Sequence, residues 1–171
     1  MRVYGSDAIR NVAFVGHGGS GKTTLVDALA FVSGASRRHG NIKDGTTLTD
    51  YTPDEIARQH SISLGLAYAE WMDTKLNLLD TPGYLDFFGE VVTGLHAADA
   101  AVVVVSGVSG VEVGTEKAWE VYDARLHLTY GGPRHDLGLY DFFALAAIAG
   151  LIWALRKKHY GRGLLMGLLA V

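Results

Sequence analysis

A chain of 171 residues that is 49% hydrophobic and 19% charged, with 3 prolines, is too apolar for a disordered segment and lacks the proline of a collagen. The absence of cysteine removes disulfide scaffolds and thiolate chemistry. A formal net charge of −3 gives no global electrostatic drive toward nucleic acid, while a mean hydropathy of +0.17 is high for one soluble domain.

Met1 to Asn11 carry charges of both signs and no apolar run, so no signal peptide is expected and residues 1–125 are expected in the cytoplasm. Asn11–Val15 (NVAFV) is a short apolar run that predicts a strand. It ends in Gly16-His17-Gly18-Gly19-Ser20-Gly21-Lys22-Thr23-Thr24, and Leu25, Val26, Leu29 and Val32 then recur near helical spacing. Strand, loop and helix together satisfy G-x-x-x-x-G-K-[ST] at every fixed position. The glycines let backbone N–H groups wrap phosphates, Lys22 can reach the outer phosphates, and the Thr23 hydroxyl can ligate Mg²⁺. His17 is read as a spacer contributing only its backbone.

Ser33 to Ser63 is polar, with few core candidates, and reads as a surface loop, although a loop of this length in a compact domain is usually functional or disordered. A hydroxyl at its end, where a strand begins, could complete Mg²⁺ coordination once a nucleoside triphosphate orders the loop. Leu76 to Leu79 form a second apolar stretch ending at Asp80-Thr81-Pro82-Gly83, where the acid can hold Mg²⁺ through water and the glycine N–H can approach a terminal phosphate. Ala100–Val105 (AAVVVV) predicts a strand covered on both faces, with helices over Phe87–Leu95 and Thr115–Asp123. The alternation argues for an α/β fold, a P-loop NTPase three-layer sheet.

Residues 8–125 resemble the start of the GTPase domain of translational GTPases, close to elongation factor G and its elongation-factor-G-like relatives. The residues that carry the resemblance are IRNVAFVGHGGSGKTTLVDAL, DYTPDEIARQHSIS, LNLLDTPGYLDFFGEV and ADAAVVVVSGVSGVEVGTEKAWE. It implies GTP and Mg²⁺ as ligands, hydrolysis of GTP to GDP and phosphate, and the ribosome as partner. Carried over by position, Gly16 to Thr24 cradle the nucleotide together with Asp80, Pro82 and Gly83. Thr23, Ser61 and Asp80 serve the metal, and Lys22, Gly83 and Tyr84 stand at the reacting phosphate.

Three departures matter. Ser61 stands where most members have threonine, keeping the hydroxyl and losing a methyl. Tyr84 stands where most have the histidine that positions the attacking water, and a phenol does not titrate near neutral pH as imidazole does. The N-K-x-D loop that pairs with guanine is absent from the sequence, and Asn41-Ile42-Lys43-Asp44 has the wrong order and place. The resemblance is thus to a G domain truncated before base recognition.

Residues 126–171 read differently. The net charge is −6 over residues 1–125 and +3 over 126–171. Leu137–Leu155 holds one charge, Asp141, and would span about 28 Å as a helix, close to a bilayer core, with Arg156-Lys157-Lys158 following. It predicts a transmembrane-like helical segment and membrane association. Arg134-His135-Asp136-Leu137-Gly138-Leu139-Tyr140-Asp141 resembles the R-H-P-x-x-L-Y-E stretch near the carboxyl end of prolipoprotein diacylglyceryl transferases, with Asp136 in place of proline. A cytoplasmic front half would put the basic run outside, against the positive-inside bias. The sequence therefore reads as a chimera joined near Arg125: a G-domain segment, 1–125, and a membrane-helix fragment, 126–171. The alternative function is that of a membrane-protein fragment without activity of its own.

Overall fold

The computed structural model describes residues 3–130, with side chains as far as Arg125. The expected apolar helix at 137–155 and the Arg134 to Asp141 stretch lie outside the described residues. Among those described, no helix is long and apolar enough to cross a membrane.

Strand β1 (Ile9–Val15) leads through the glycine-rich loop into helix α1 (Lys22–Val32). A short helix α2 (Pro53–Arg58) precedes strands β2 (Gly65–Trp71) and β3 (Thr74–Asp80). Helix α3 (Phe88–Ala97), strand β4 (Ala100–Val103) and helix α4 (Val113–Tyr130) complete the order. The sheet runs β2-β3-β1-β4. β1 is parallel to both β3 and β4, whereas β2 pairs antiparallel with β3. Met72 and Asp73, both at positive φ, form the two-residue turn between β2 and β3.

The period-2 alternation of β1 builds a core on each face. Ala13 and Val15 pack with Leu79, Val91, Leu95 and Ala118 under α3 and α4, while Phe14 packs with Val26, Ala67, Ala69 and Leu78 under α1. The α/β layering expected from the motif order is therefore present. Arg125 on α4 donates to the carbonyls of Leu95 and Ala98, capping the end of α3.

Two expectations need correction. β4 ends at Val103 rather than Val105, and it is not covered on both faces. Ala101 and Val103 pack toward α3 and α4, but Val102, on the α1 side, is 38% exposed because α1 lies over β1, β2 and β3. The polar stretch 33–63 is not a plain surface loop either. It has its own helix, α2, opened by a capping box between Thr52 and Glu55 with Pro53 in the first turn.

Buried acids, not apolar residues, hold this stretch. Asp27 on α1, 1% exposed, accepts from the backbone N–H of Gly40 and, at 3.1 Å, of Leu48. Glu55, 2% exposed, accepts through Oε2 from the Thr52 N–H and hydroxyl, and through Oε1 from the N–H groups of Ile62 and Ser63. Burial pushes the Glu55 pKa up, but these hydrogen bonds outweigh it and hold the carboxyl below its ordinary value.

Candidate functional site

The phosphate loop lies at the carboxyl end of β1, where the strand must stop and α1 begins. The carboxyl end of β3 lies beside it, because Phe14 pairs with Asp80 in register and the Thr81 hydroxyl donates to the Phe14 carbonyl at 2.7 Å. That register brings Asp80-Thr81-Pro82-Gly83 against the loop. A Cβ at Gly83 would lie 2.5 Å from both the Gly18 nitrogen and Lys22 Nζ, so only glycine allows this approach.

Between the two loops is a cleft of ≈ 140 Å³. Gly18, Gly19, Gly21, Lys22, Thr23 and Thr24 line one side, and Ser61, Gly83 and Tyr84 the other. Gly16, His17 and Ser20 shape the loop, while Pro82 is buried behind it. Lys22 Nζ donates to the carbonyls of Gly16 (3.0 Å) and His17 (2.9 Å). Burial lowers its pKa, with Asp80 and Asp50 pulling the other way.

The Thr23 and Ser61 hydroxyls, 38 residues apart in sequence, meet at 3.1 Å. Asp80 is 1% exposed, and its Oδ2 accepts from the Thr49 hydroxyl at 2.6 Å. Its Oδ1 is buried with no hydrogen-bond partner, as are both carboxylate oxygens of Asp50. Burial pushes the Asp80 pKa up to about 6 against the pull of the Thr49 and Thr23 hydroxyls, and burial likewise raises that of Asp50 against the pull of the nearby Ser61 hydroxyl. Unpaired buried carboxylate oxygens are costly unless a cation or ordered water completes them.

This donor set fits Mg²⁺, a hard cation that keeps several waters and takes hydroxyl, carboxylate and phosphate oxygens. Among the described residues no group of three or more His, Cys, Asp or Glu forms a metal cage. Thr23 and Ser61 would hold the metal directly, with Asp80 and Asp50 behind.

Three site residues escaped the sequence reading. Asp50 and Thr49 sit in a segment whose acids look like ordinary surface charges until the fold buries them. His60 packs against Tyr84 with its ring tilted at 59° and the centroids 4.7 Å apart, and it lines the cleft beside Ser61. The T-x-x-E capping signature at Thr52 and Glu55 was the one readable sign that this segment is ordered. Tyr84 is 43% exposed and its ring lies over Gly18, at the cleft mouth. The His17 side chain does more than space the loop: its Nδ1 accepts from the Gly114 N–H, and its Nε2 is 3.5 Å from Glu112.

The elongation factor Tu GTP binding domain family matches residues 7–127. The chain belongs to this family. GTP and Mg²⁺ are the ligands of such a GTP binding domain, and the cleft has the loop and donor set for both. An elongation factor G-like protein of Mycobacterium tuberculosis is 42% identical over 116 residues, which cover 68% of this chain and 16% of that protein. A mitochondrial ribosome-releasing factor 2 of Scheffersomyces stipitis is 40% identical over 114 residues, covering 67% and 14%. A crystal structure from Thermus thermophilus superposes with a TM-score of 0.67 at 50% identity, covering 68% of this chain and 18% of that one. A bacterial selenocysteine-specific elongation factor superposes with a TM-score of 0.55 at 28% identity, covering 67% and 17%. This GTP binding domain thus spans less than a fifth of the length of these relatives.

Proposed function

We propose that residues 1–125 bind GTP with Mg²⁺ in the cleft between the phosphate loop and Gly83 and hydrolyse it to GDP and phosphate, as the G domain of an elongation-factor-G-like translation factor with the ribosome as partner. The observation that carries this is the Thr23–Ser61 hydroxyl pair flanked by the unpaired oxygens of Asp80 and Asp50. Mg²⁺ bound there would neutralise charge on the outer phosphates. Backbone N–H groups of the loop would cradle the phosphates, and Lys22, steadied by the Gly16 and His17 carbonyls, would turn its remaining donor to the outer phosphate oxygens. Gly83 would present its N–H to the terminal phosphate. Tyr84, over Gly18, would close the mouth of the cleft and orient water through its hydroxyl, a weaker means than the imidazole usual in the family. Relatives of this family work in the cytoplasm or the mitochondrial matrix, and of these settings the cytoplasm is the one proposed for this segment.

The test is titration of the full chain with a fluorescent GTP analogue and Mg²⁺. Saturable binding lost in Lys22→Ala supports the reading, and equal binding by both proteins overturns it.

Residues 126–171 carry a second reading, a membrane-associated fragment joined to the G domain. The reversal of net charge after Arg125 and a family match that stops at residue 127 favour the join, and the membrane part of the reading rests on the apolar sequence of Leu137–Leu155 alone. Sequencing the source transcript through codons 115–145 checks it, an uninterrupted reading frame counting against the join.

A further inference from the structure

The first turn of α4 reaches back to the phosphate loop over about a hundred residues of sequence. Thr115, 4% exposed, accepts a hydrogen bond from the His17 backbone N–H through Oγ1 at 3.2 Å. The carbonyl of that same peptide unit, Gly16 C=O, accepts from Lys22 Nζ at 3.0 Å, and the His17 carbonyl of the next unit accepts from it at 2.9 Å. The His17 ring is fixed too: Nδ1 accepts from the Gly114 N–H at 3.3 Å, which leaves Nε2 to carry the proton toward Glu112. Gly114 has no room for a side chain, since a Cβ would lie 2.9 Å from His17 Nδ1 and 3.0 Å from the Gly83 carbonyl oxygen. One helical turn therefore touches both phosphate-facing loops.

We propose that Thr115 is a positioning residue for the phosphate loop, holding the Gly16–His17 peptide unit so that its carbonyl, that of Gly16, faces Lys22 and the following N–H groups face the nucleotide. The proposal rests on the GTP-binding reading. Without the Thr115 hydroxyl the His17 N–H loses its partner, and the peptide is free to rotate and misdirect both Lys22 and the loop amides. The cost falls on binding, because a loop that must be ordered by the nucleotide binds it more weakly than one already in place.

The hydroxyl and the methyl of Thr115 can be separated. Thr115→Val keeps the volume and removes the acceptor, whereas Thr115→Ser keeps the acceptor and leaves a small void. In the full chain, affinity for the fluorescent GTP analogue with Mg²⁺ is expected to fall about tenfold in Thr115→Val and to stay within about threefold in Thr115→Ser. Thermal stability without nucleotide is expected to fall in Thr115→Ser. Wild-type affinity in Thr115→Val, or equal losses in both variants, would show that the residue only packs. Gly114→Ala, which presses on His17 and Gly83 while leaving the hydroxyl, gives an independent check: a loss of about tenfold or more is expected, and wild-type affinity overturns the proposal. If the native chain binds no nucleotide, the GTP reading fails and this falls with it. If the native chain binds, Lys22→Ala does not and Thr115→Val behaves as wild type, only the positioning role is lost.

Discussion

The Thr49 hydroxyl donates a 2.6 Å hydrogen bond to Asp80 Oδ2, tying the polar stretch before α2 to the end of β3 and leaving Asp80 Oδ1 buried without a hydrogen-bond partner. Half of the carboxylate is thereby fixed and half is left for solvent or a cation. Replacing Thr49 by valine leaves a buried carboxylate with one donor fewer. It is expected to destabilise the nucleotide-free fold by about 2 kcal/mol, as measured by urea denaturation, because hydrogen bonds to charged groups are worth more than neutral ones. The Mg²⁺ requirement for nucleotide binding should persist in this variant, since Oδ1 is untouched.

Asp80 makes stability depend on pH in a definite direction. Its pKa rises from 3.8 to about 6 in the folded state, so the fold holds this proton more tightly than the unfolded chain does. The contribution is complete below 3.8 and is lost as pH rises to about 6. Without nucleotide or Mg²⁺, the stability of wild type relative to Asp80→Asn should decline across that window and level off above it. Mg²⁺ acts oppositely, because Asp80 behind it supports the cation only when ionised, so its affinity should climb through the same window. Chemical denaturation of both proteins on either side of the window reads the first effect, and Mg²⁺ titration reads the second.

Glu55 closes the segment that delivers Ser61. Glu55→Gln keeps the size but turns part of the acceptor set into donors facing the N–H groups of Thr52, Ile62 and Ser63. A loss of about 2–4 kcal/mol is expected near neutral pH by urea denaturation. The folded carboxyl is held below 4.5, so this contribution is present above that value and fades as pH falls through the folded pKa. The gap between wild type and Glu55→Gln should therefore narrow in acid.

Base selection should be poor. The sequence has no N-K-x-D loop, and the turn at Asn41 to Gly45 uses its amide locally, Asn41 Oδ1 accepting from the Lys43 N–H at 2.9 Å. Phosphate and metal contacts do not distinguish guanine from adenine. GTP and ATP should therefore compete for the cleft with less than about a hundredfold difference, under about 2.8 kcal/mol. Greater selectivity in a competition titration would point to a base-binding group elsewhere in the chain.

The phosphate loop, the Asp80 to Gly83 turn and the strands feeding them were legible because each is local. A glycine-rich turn between a strand and a helix announces itself by spacing, and the apolar runs of β1 and β3 reveal buried strands. β2 was hard to place because alanines serve as its inward residues and give weak contrast with Leu66 and Tyr68, which face outward. The segment from Ser33 to Ser63 was opaque for a related reason. Its order comes from Asp27 and Glu55, acids that count as surface residues by composition and reach the interior only because backbone N–H groups surround them.

The sequence by itself determined the chemistry: phosphate cradling, a lysine, two hydroxyls and a strand-end acid, in an order that one α/β layering accommodates. Only the tertiary structure decided which distant groups meet. Thr23 against Ser61, Thr49 on Asp80, Asp50 unpaired at the cleft and Thr115 on the His17 peptide are contacts between residues 31 to 98 positions apart, or burial that follows from them. Spacing along a chain encodes turns and helix faces, whereas the register of β1 against β3 and the packing of α4 beside them set these distances.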